Sequence, residues 1–163
     1  MNYWNIVKND ILNGEGFRVS LFVCGCQFRC PHCQNKALWS PYVGQPFTLE
    51  TKEELFNELR KPYCDGISIL GGEPLHENNV NEVTKLAKEI RELFPYKTIW
   101  MWTGNNFDDV KDLEVMKYLD VLIDGLFILK EKDLNLKWRG SRNQTVIDVQ
   151  ASLKQGKKVI YCE

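Results

Sequence analysis

The chain has no apolar run near the roughly eighteen residues that a membrane span needs, no internal repeat and no low-complexity stretch. Its first residues, Met1 to Asp10, mix polar and aromatic side chains and lack the apolar core of a signal peptide, so a cytoplasmic protein is expected. Charge of one sign is also missing. With 21 basic and 22 acidic residues the formal net charge is −1, which argues against a surface built to neutralise many phosphates. Neither nucleic acid nor a membrane is an expected partner. The five Trp and six Tyr are scattered among apolar positions rather than gathered as a stacking platform for bases. Histidine is nearly absent: His32 and His76 are the whole supply.

What is present suits one domain spanning residues 1–163. A chain of this length buries enough surface to fold without a disulfide or metal staple. The 44% hydrophobic and 26% charged content is that of a soluble globular protein. The six cysteines are unevenly placed: Cys26, Cys30 and Cys33 crowd together, whereas Cys24, Cys64 and Cys162 are spread out. Without an export signal a disulfide framework is not expected, and the crowded thiols point to a metal or cluster.

Val19 to Cys24 reads as a strand, broken by Gly25 just before the cysteine loop. Thr51 to Glu54 resembles a capping box, with Thr51 as N-cap of a helix carrying Leu55, Phe56 and Leu59 and ended by Pro62. Gly66 to Leu70 is a second strand, running into Gly71-Gly72-Glu73-Pro74. Val80, Val83, Leu86, Ala87, Ile90, Leu93 and Phe94 recur at helical spacing up to Pro95. Thr98 to Trp102 is a third strand, closed by Thr103-Gly104-Asn105. Val110, Leu113 and Met116 mark a helix from near Asp108, and Val121 to Ile123 a fourth strand ending in Asp124-Gly125. Thr145 to Ile147 and Val159 to Tyr161 are short strands around a small helix. This alternation predicts an α/β fold with a parallel sheet, four to six strands in an incomplete, open barrel. Ligands of such sheets sit beyond the carboxyl ends of the strands, where the cysteine loop and the three glycine-containing turns would line one mouth.

Thiolates bind zinc, Cu(I) and Fe–S clusters. Three of them on a loop can each reach a different iron of a cubane, and with no fourth ligand beside them one iron stays open to a small molecule. Two alternatives stand beside this. A structural zinc could be held by the three cysteines and one histidine, although His32 sits between two ligands and could hardly reach the same ion. The cysteines could also be buried free thiols. The two glycines of Gly71-Gly72-Glu73-Pro74 let the backbone approach a ligand, and Glu73 offers a carboxylate to a cationic amino group.

The spacing of Cys26, Cys30 and Cys33 after a strand, followed by Gly71-Gly72-Glu73-Pro74, resembles the radical S-adenosylmethionine enzymes. Asn13 to Arg18, Trp102-Thr103-Gly104, Val121 to Phe127 and Arg139-Gly140-Ser141-Arg142-Asn143-Gln144 further resemble the anaerobic ribonucleotide reductase activating proteins, which are small glycyl-radical activases. The resemblance runs from Asn13 to Tyr161. Three positions depart from it: Glu15 where that family usually has Pro, Cys24 where it commonly has Ser or Thr, and His32 where many activases have an aromatic residue.

The resemblance implies a partial parallel β/α barrel and an oxidoreductase whose [4Fe-4S] cluster, on Cys26, Cys30 and Cys33, cleaves S-adenosylmethionine. The 5′-deoxyadenosyl radical would take hydrogen from a backbone glycine of the large anaerobic reductase, with an electron donor such as flavodoxin. Glu73, with the Gly72 backbone, would bind the cofactor's amino group. Thr103 and Asn105 could line its pocket, and Asp124 could hold a ribose hydroxyl or a cation. Arg139, Arg142 and Asn143 could meet a carboxylate or the partner chain. Other readings are a small-molecule radical enzyme, such as a 7-carboxy-7-deazaguanine synthase, and a zinc-stabilised binding module.

Overall fold

A computed structural model describes residues 1–163. Eight strands form one mixed sheet with four α-helices. In chain order they are β1 (Asn2–Asp10), β2 (Arg18–Val23), β3 (Gln45–Pro46), α1 (Leu49–Leu59), β4 (Gly66–Gly71), α2 (Val80–Leu93), β5 (Thr98–Trp102), α3 (Phe107–Val110), β6 (Val121–Asp124), β7 (Thr145–Asp148), α4 (Val149–Gln155) and β8 (Ile160–Cys162). The sheet order is β3-β1-β2-β4-β5-β6-β7-β8. Only β2, β4, β5 and β6 run parallel. The flanking strands pair antiparallel, so the sheet has more strands than the expected four to six and is mixed rather than wholly parallel. The extra strands on one side are β1 and the short β3. The mixed polar and aromatic β1 lacks the apolar run that marks a buried strand, because it pairs near an edge and much of it faces water.

Register fixes the two faces of the sheet. Leu21, Ile69, Met101, Leu122 and Ile147 form one row across five strands and belong to a 23-residue core shared with Leu55, Leu59, Val83, Leu86 and Ile90 of α1 and α2. Burying each such side chain contributes about 1.5–3 kcal/mol. Trp100, Val121, Ile123 and Val146 form a smaller cluster on the other face, with Trp102 and Trp138 against it. Both faces of the central strands are thus covered, which is why they read as continuous apolar runs.

Two local expectations are corrected. Thr48, not Thr51, is the N-cap of α1; Thr51 sits at N3, and the two residues cap each other. A threonine can fill the position for which Glu or Gln is the usual signal, which displaced the expected start by three residues. The helix expected over Val110 to Met116 is broken into α3 and a separate 3-10 turn, Glu114–Lys117, around Leu113. No helix is long and apolar enough to cross a membrane.

Candidate iron–sulfur site

The carboxyl ends of the parallel strands open onto a cavity of about 160 Å³. Cys26, Cys30, Cys33, Gly72, Glu73 and Thr103 all line it, joined by Phe28, Asn35, Trp39, Leu70, Trp102, Gly104, Phe127 and Gln144. The four strand ends therefore do converge. Asn105 and Asp124 are not among the lining residues. The Asn105 side chain donates to Thr103 Oγ1 at 2.9 Å. Asp124 is buried and accepts from Phe107 N at 2.9 Å and from Lys158 Nζ at 2.8 Å, while Thr145 Oγ1 also donates to it. Both residues tie loops together behind the mouth.

The base of the cysteine loop is fastened to the glycine turn through backbone. Gly72 N donates to Val23 O at 2.8 Å and Glu73 N to Gly25 O at 2.7 Å. A Cβ on Gly72 would lie 2.5 Å from Gly25 O, so the close approach this glycine permits is to the cysteine loop itself. On the other flank, Cys26 N donates to Trp39 O at 3.0 Å and Gly25 N to Leu38 O at 2.7 Å. Arg29 and His32, inside the loop, adopt positive φ of 50° and 59°, a conformation L side chains seldom take. The loop is thus shaped around its sulfurs.

Glu73 is 1% exposed, and its carboxylate faces no cation. Oε1 accepts from Thr103 Oγ1 at 2.8 Å and Leu75 N at 2.9 Å, and Oε2 from Gly104 N at 2.8 Å. Burial pushes its pKa up, against the pull of those three donors. Gly104 in turn lies against Phe28, whose ring would sit 2.5 Å from a Cβ at that position. Glu73 thereby locks the turn after β5, and that turn seats the cysteine loop.

Burial raises the Cys26 and Cys30 thiols, although backbone amides of Phe28 and Arg29 favour the Cys26 thiolate and that of Phe127 the Cys30 thiolate. Cys33 Sγ accepts from Asn35 N at 3.3 Å. Such sulfurs ionise when a cation binds them, and N–H groups stand ready for the resulting charge. No three His, Cys, Asp or Glu side chains converge tightly enough to hold one ion. His32 is exposed, and His76 Nδ1 accepts from Asn78 N at 3.1 Å. The donor set fits a cluster that gives each thiolate its own iron better than a single tetrahedral zinc. Of the other cysteines, Cys24 and Cys64 are buried in the core and Cys162 lies on β8.

A family model for a 4Fe-4S single cluster domain matches residues 12–147. The anaerobic ribonucleoside-triphosphate reductase-activating protein of Enterobacteria phage T4 is 46% identical over 146 residues, covering 88% of this chain and 92% of that protein. The protein of the same name from Escherichia coli K12 is 43% identical over 150 residues, covering 90% and 97%, and that of Vibrio cholerae is 37% identical over 150 residues, also covering 90% and 97%. This chain belongs to the anaerobic ribonucleoside-triphosphate reductase-activating protein family. Within this activase the segment Arg139 to Gln144 takes a structural part. Gln144 Oε1 accepts from Gly140 N at 2.9 Å, its Nε2 donates to Gly125 O at 2.9 Å, and Arg139 donates to Gln144 O at 3.1 Å. Asn143 Nδ2 donates to Leu126 O at 2.7 Å, and Arg142 pairs with Asp133 at 3.0 Å on the surface. The segment braces the mouth through Gln144, which lines the cavity.

Sequence reasoning did not single out Phe28, Asn35, Trp39 or Phe127. Phe28 lies inside the cysteine loop and could have been read as its docking side chain. Trp39 follows the cysteine motif by several residues, and no local pattern marks it, while Phe127 closes the Val121 to Phe127 segment without having been given a role.

Proposed function

We propose that this activase is an oxidoreductase of the radical S-adenosylmethionine type, acting on a backbone glycine of an anaerobic ribonucleotide reductase. The sheet with its open mouth would be the partial barrel of that superfamily, working as one domain in the cytoplasm. The observation that supports this most directly is the convergence of three thiols and the Gly71-Gly72-Glu73 turn on one cavity.

Cys26, Cys30 and Cys33 would hold a [4Fe-4S] cluster and leave one iron for the amino and carboxylate groups of S-adenosylmethionine. Bound there, the cluster would supply one-electron reductive chemistry toward S-adenosylmethionine, the electron coming from a donor such as flavodoxin, and so the means to take the glycine hydrogen. Three of the roughly four lone-pair sites of the Glu73 carboxylate accept hydrogen bonds from the chain, leaving one on Oε2 for an ammonium group. Thr103 serves by holding that carboxylate still. Leu70, Trp102 and Phe127 give the cavity apolar walls that limit water around a reactive fragment.

Anaerobic reconstitution followed by iron and sulfide analysis tests the reading, with EPR of the reduced protein before and after adding S-adenosylmethionine. About four irons per chain and a signal changed by the cofactor are expected. Stoichiometric zinc, or a cluster signal indifferent to the cofactor, would overturn it.

A further inference from the structure

A second hollow, of about 220 Å³, lies between β1 and the turn that follows Cys33. Trp4, Asn5, Val7 and Phe22 form one wall, and Gln34, Asn35 and Ala37 belong to the other. Asn35 also lines the cavity, so the two spaces adjoin there. The path of β1 aims side chains into this groove. Tyr3 pairs with Val23 and Asn5 with Phe22, so one extra residue, Trp4, is inserted in β1. Such a bulge re-aims side chains, and here Trp4 and Asn5 both face the groove while Ile6 packs on the main core. Trp4 is 52% exposed, whereas the other four tryptophans are buried or half-buried. A large aromatic ring left in water beside a reactive site is suited to anchor a protein partner.

None of the eight residues lining the groove is charged. That disfavours a phosphate, a nucleotide or an anionic membrane as its occupant. Asn5, Gln34 and Asn35 instead offer carboxamides, each able to donate to a peptide carbonyl and accept from a peptide N–H, beside the apolar Val7 and Phe22. A second copy of this chain seated there would crowd the way into a mouth that has to admit a protein substrate. We infer that the groove seats the segment of the partner reductase that flanks its target glycine, with Trp4 as the anchor. This rests on the activase reading given above and adds to it a place for the protein substrate. A segment held in the groove brings its neighbouring glycine to the mouth beside Cys33 and leaves the cavity itself to the cofactor.

The test uses the reconstituted full chain and an intact anaerobic ribonucleotide reductase, with affinity read by anaerobic titration calorimetry. Trp4→Ala should weaken binding about thirtyfold, the loss expected of an interface anchor, and Trp4→Phe should recover most of it. Ala37→Glu adds bulk and charge at an exposed position and removes no contact. It should weaken binding about tenfold or more, because a charge buried without a partner is costly. Trp4→Ala and Ala37→Glu should both hold the parent's iron content and its cofactor-dependent EPR signal. Tyr96→Ala, which removes an exposed aromatic from the turn after α2, should bind as the parent does. Parental affinity in both Trp4→Ala and Ala37→Glu would overturn the inference. So would a change in self-association, read by sedimentation, with reductase affinity unaltered, since the groove would then be a contact between copies. A parent chain that binds no reductase would overturn the activase reading, and this inference with it.

Discussion

At the amino ends of β2, β4 and β5 the most deeply buried charge is the guanidinium of Arg18; at their carboxyl ends it is the carboxylate of Glu73. Neither faces an opposite charge at hydrogen-bonding distance, and each is satisfied by neutral partners. Arg18 donates to Ser68 Oγ, Thr98 Oγ1 and the carbonyls of Glu15, Ile67 and Thr98 at 2.7–3.1 Å, and stacks on Trp100 at 5.2 Å. Its burial lowers its pKa to about 10, still well above neutrality. That end is closed and no buried polar atom there is unpartnered. Of the three unpartnered buried side-chain atoms, on Trp39, Asn79 and Arg139, only the first belongs to a residue that lines the cavity. Asn79 bonds the carbonyls of Cys24 and Glu73, and Arg139 the carbonyl of Gln144. Both ends bury a charge on neutral partners, but only the carboxyl end keeps an unused acceptor site, on Glu73 Oε2.

The largest expected effect separates the two ends by chemistry. Replacing Cys26, Cys30 or Cys33 with Ala should abolish iron retention and S-adenosylmethionine cleavage, while Cys64→Ala and Cys162→Ala should retain both. Iron analysis after reconstitution checks this. A Cys64→Ala protein without iron beside a Cys26→Ala protein with it would reverse the ligand assignment.

Arg18→Met and Glu73→Gln sharpen the contrast by energy. Arg18→Met strands several acceptors inside the sheet and should destabilise the metal-free chain by about 3 kcal/mol in urea unfolding. The cluster loop does not touch Arg18, so iron loading of the folded fraction should match the parent. Glu73→Gln turns an acceptor group toward N–H donors as half donor. It should cost about 2 kcal/mol and also weaken S-adenosylmethionine binding, read by the cofactor's effect on the EPR signal. Equal cofactor affinity in Glu73→Gln would remove Glu73 from the binding role and leave it only as the lock on Gly104.

Gly104→Ala acts through shape alone. The added methyl would meet the Phe28 ring at 2.5 Å, so Phe28 and the loop between Cys26 and Cys30 must move. A stability loss of about 1–3 kcal/mol is expected from the overpacking, with slower iron uptake. Gly104→Ala together with Phe28→Leu should recover part of both. No recovery would mean that Phe28 does not seat the loop.

Much of this mouth was legible in the sequence. The apolar runs Val19 to Cys24, Gly66 to Leu70 and Thr98 to Trp102 are buried on both faces, so they stand out as strands, and each motif follows one of them directly. Cysteine spacing is set by local chain geometry and is visible for the same reason. The pairing of β1 with β2 was harder to read, because a strand near the sheet edge carries polar residues, whereas β7 and β8 stood out as short strands. The direction of Glu73's carboxylate, the withdrawal of Asn105 and Asp124 from the cavity, and the arrival of Trp39 depend on contacts between distant segments. Arg18 was quoted only as part of a motif. A lone arginine at a strand start reads as surface until five acceptors from three segments are found around it.

The smallest effect concerns the outermost seal of the closed end. Tyr161 on β8 donates to Glu15 Oε2 at 2.6 Å and packs edge-on against Trp100 at 5.4 Å. That hydrogen bond, with burial second, pushes its pKa up to about 12. The neutral phenol is the favoured form, so its contribution to stability is complete below pH 10 and is lost as the pH rises through 12. Tyr161 is 40% exposed, and Tyr161→Phe should change stability by no more than about 0.5 kcal/mol near neutrality. The phenolate absorbance is the more sensitive probe. Of the six tyrosines, one should ionise after the rest in the parent, and that late step should vanish in Tyr161→Phe and move down in Glu15→Pro. The second variant restores the residue that the family usually carries at this position. If the late step survived in Glu15→Pro, the Trp100 face rather than the Glu15 carboxylate would be holding the phenol neutral. The last seal of the closed end would then be apolar, unlike the rest of it.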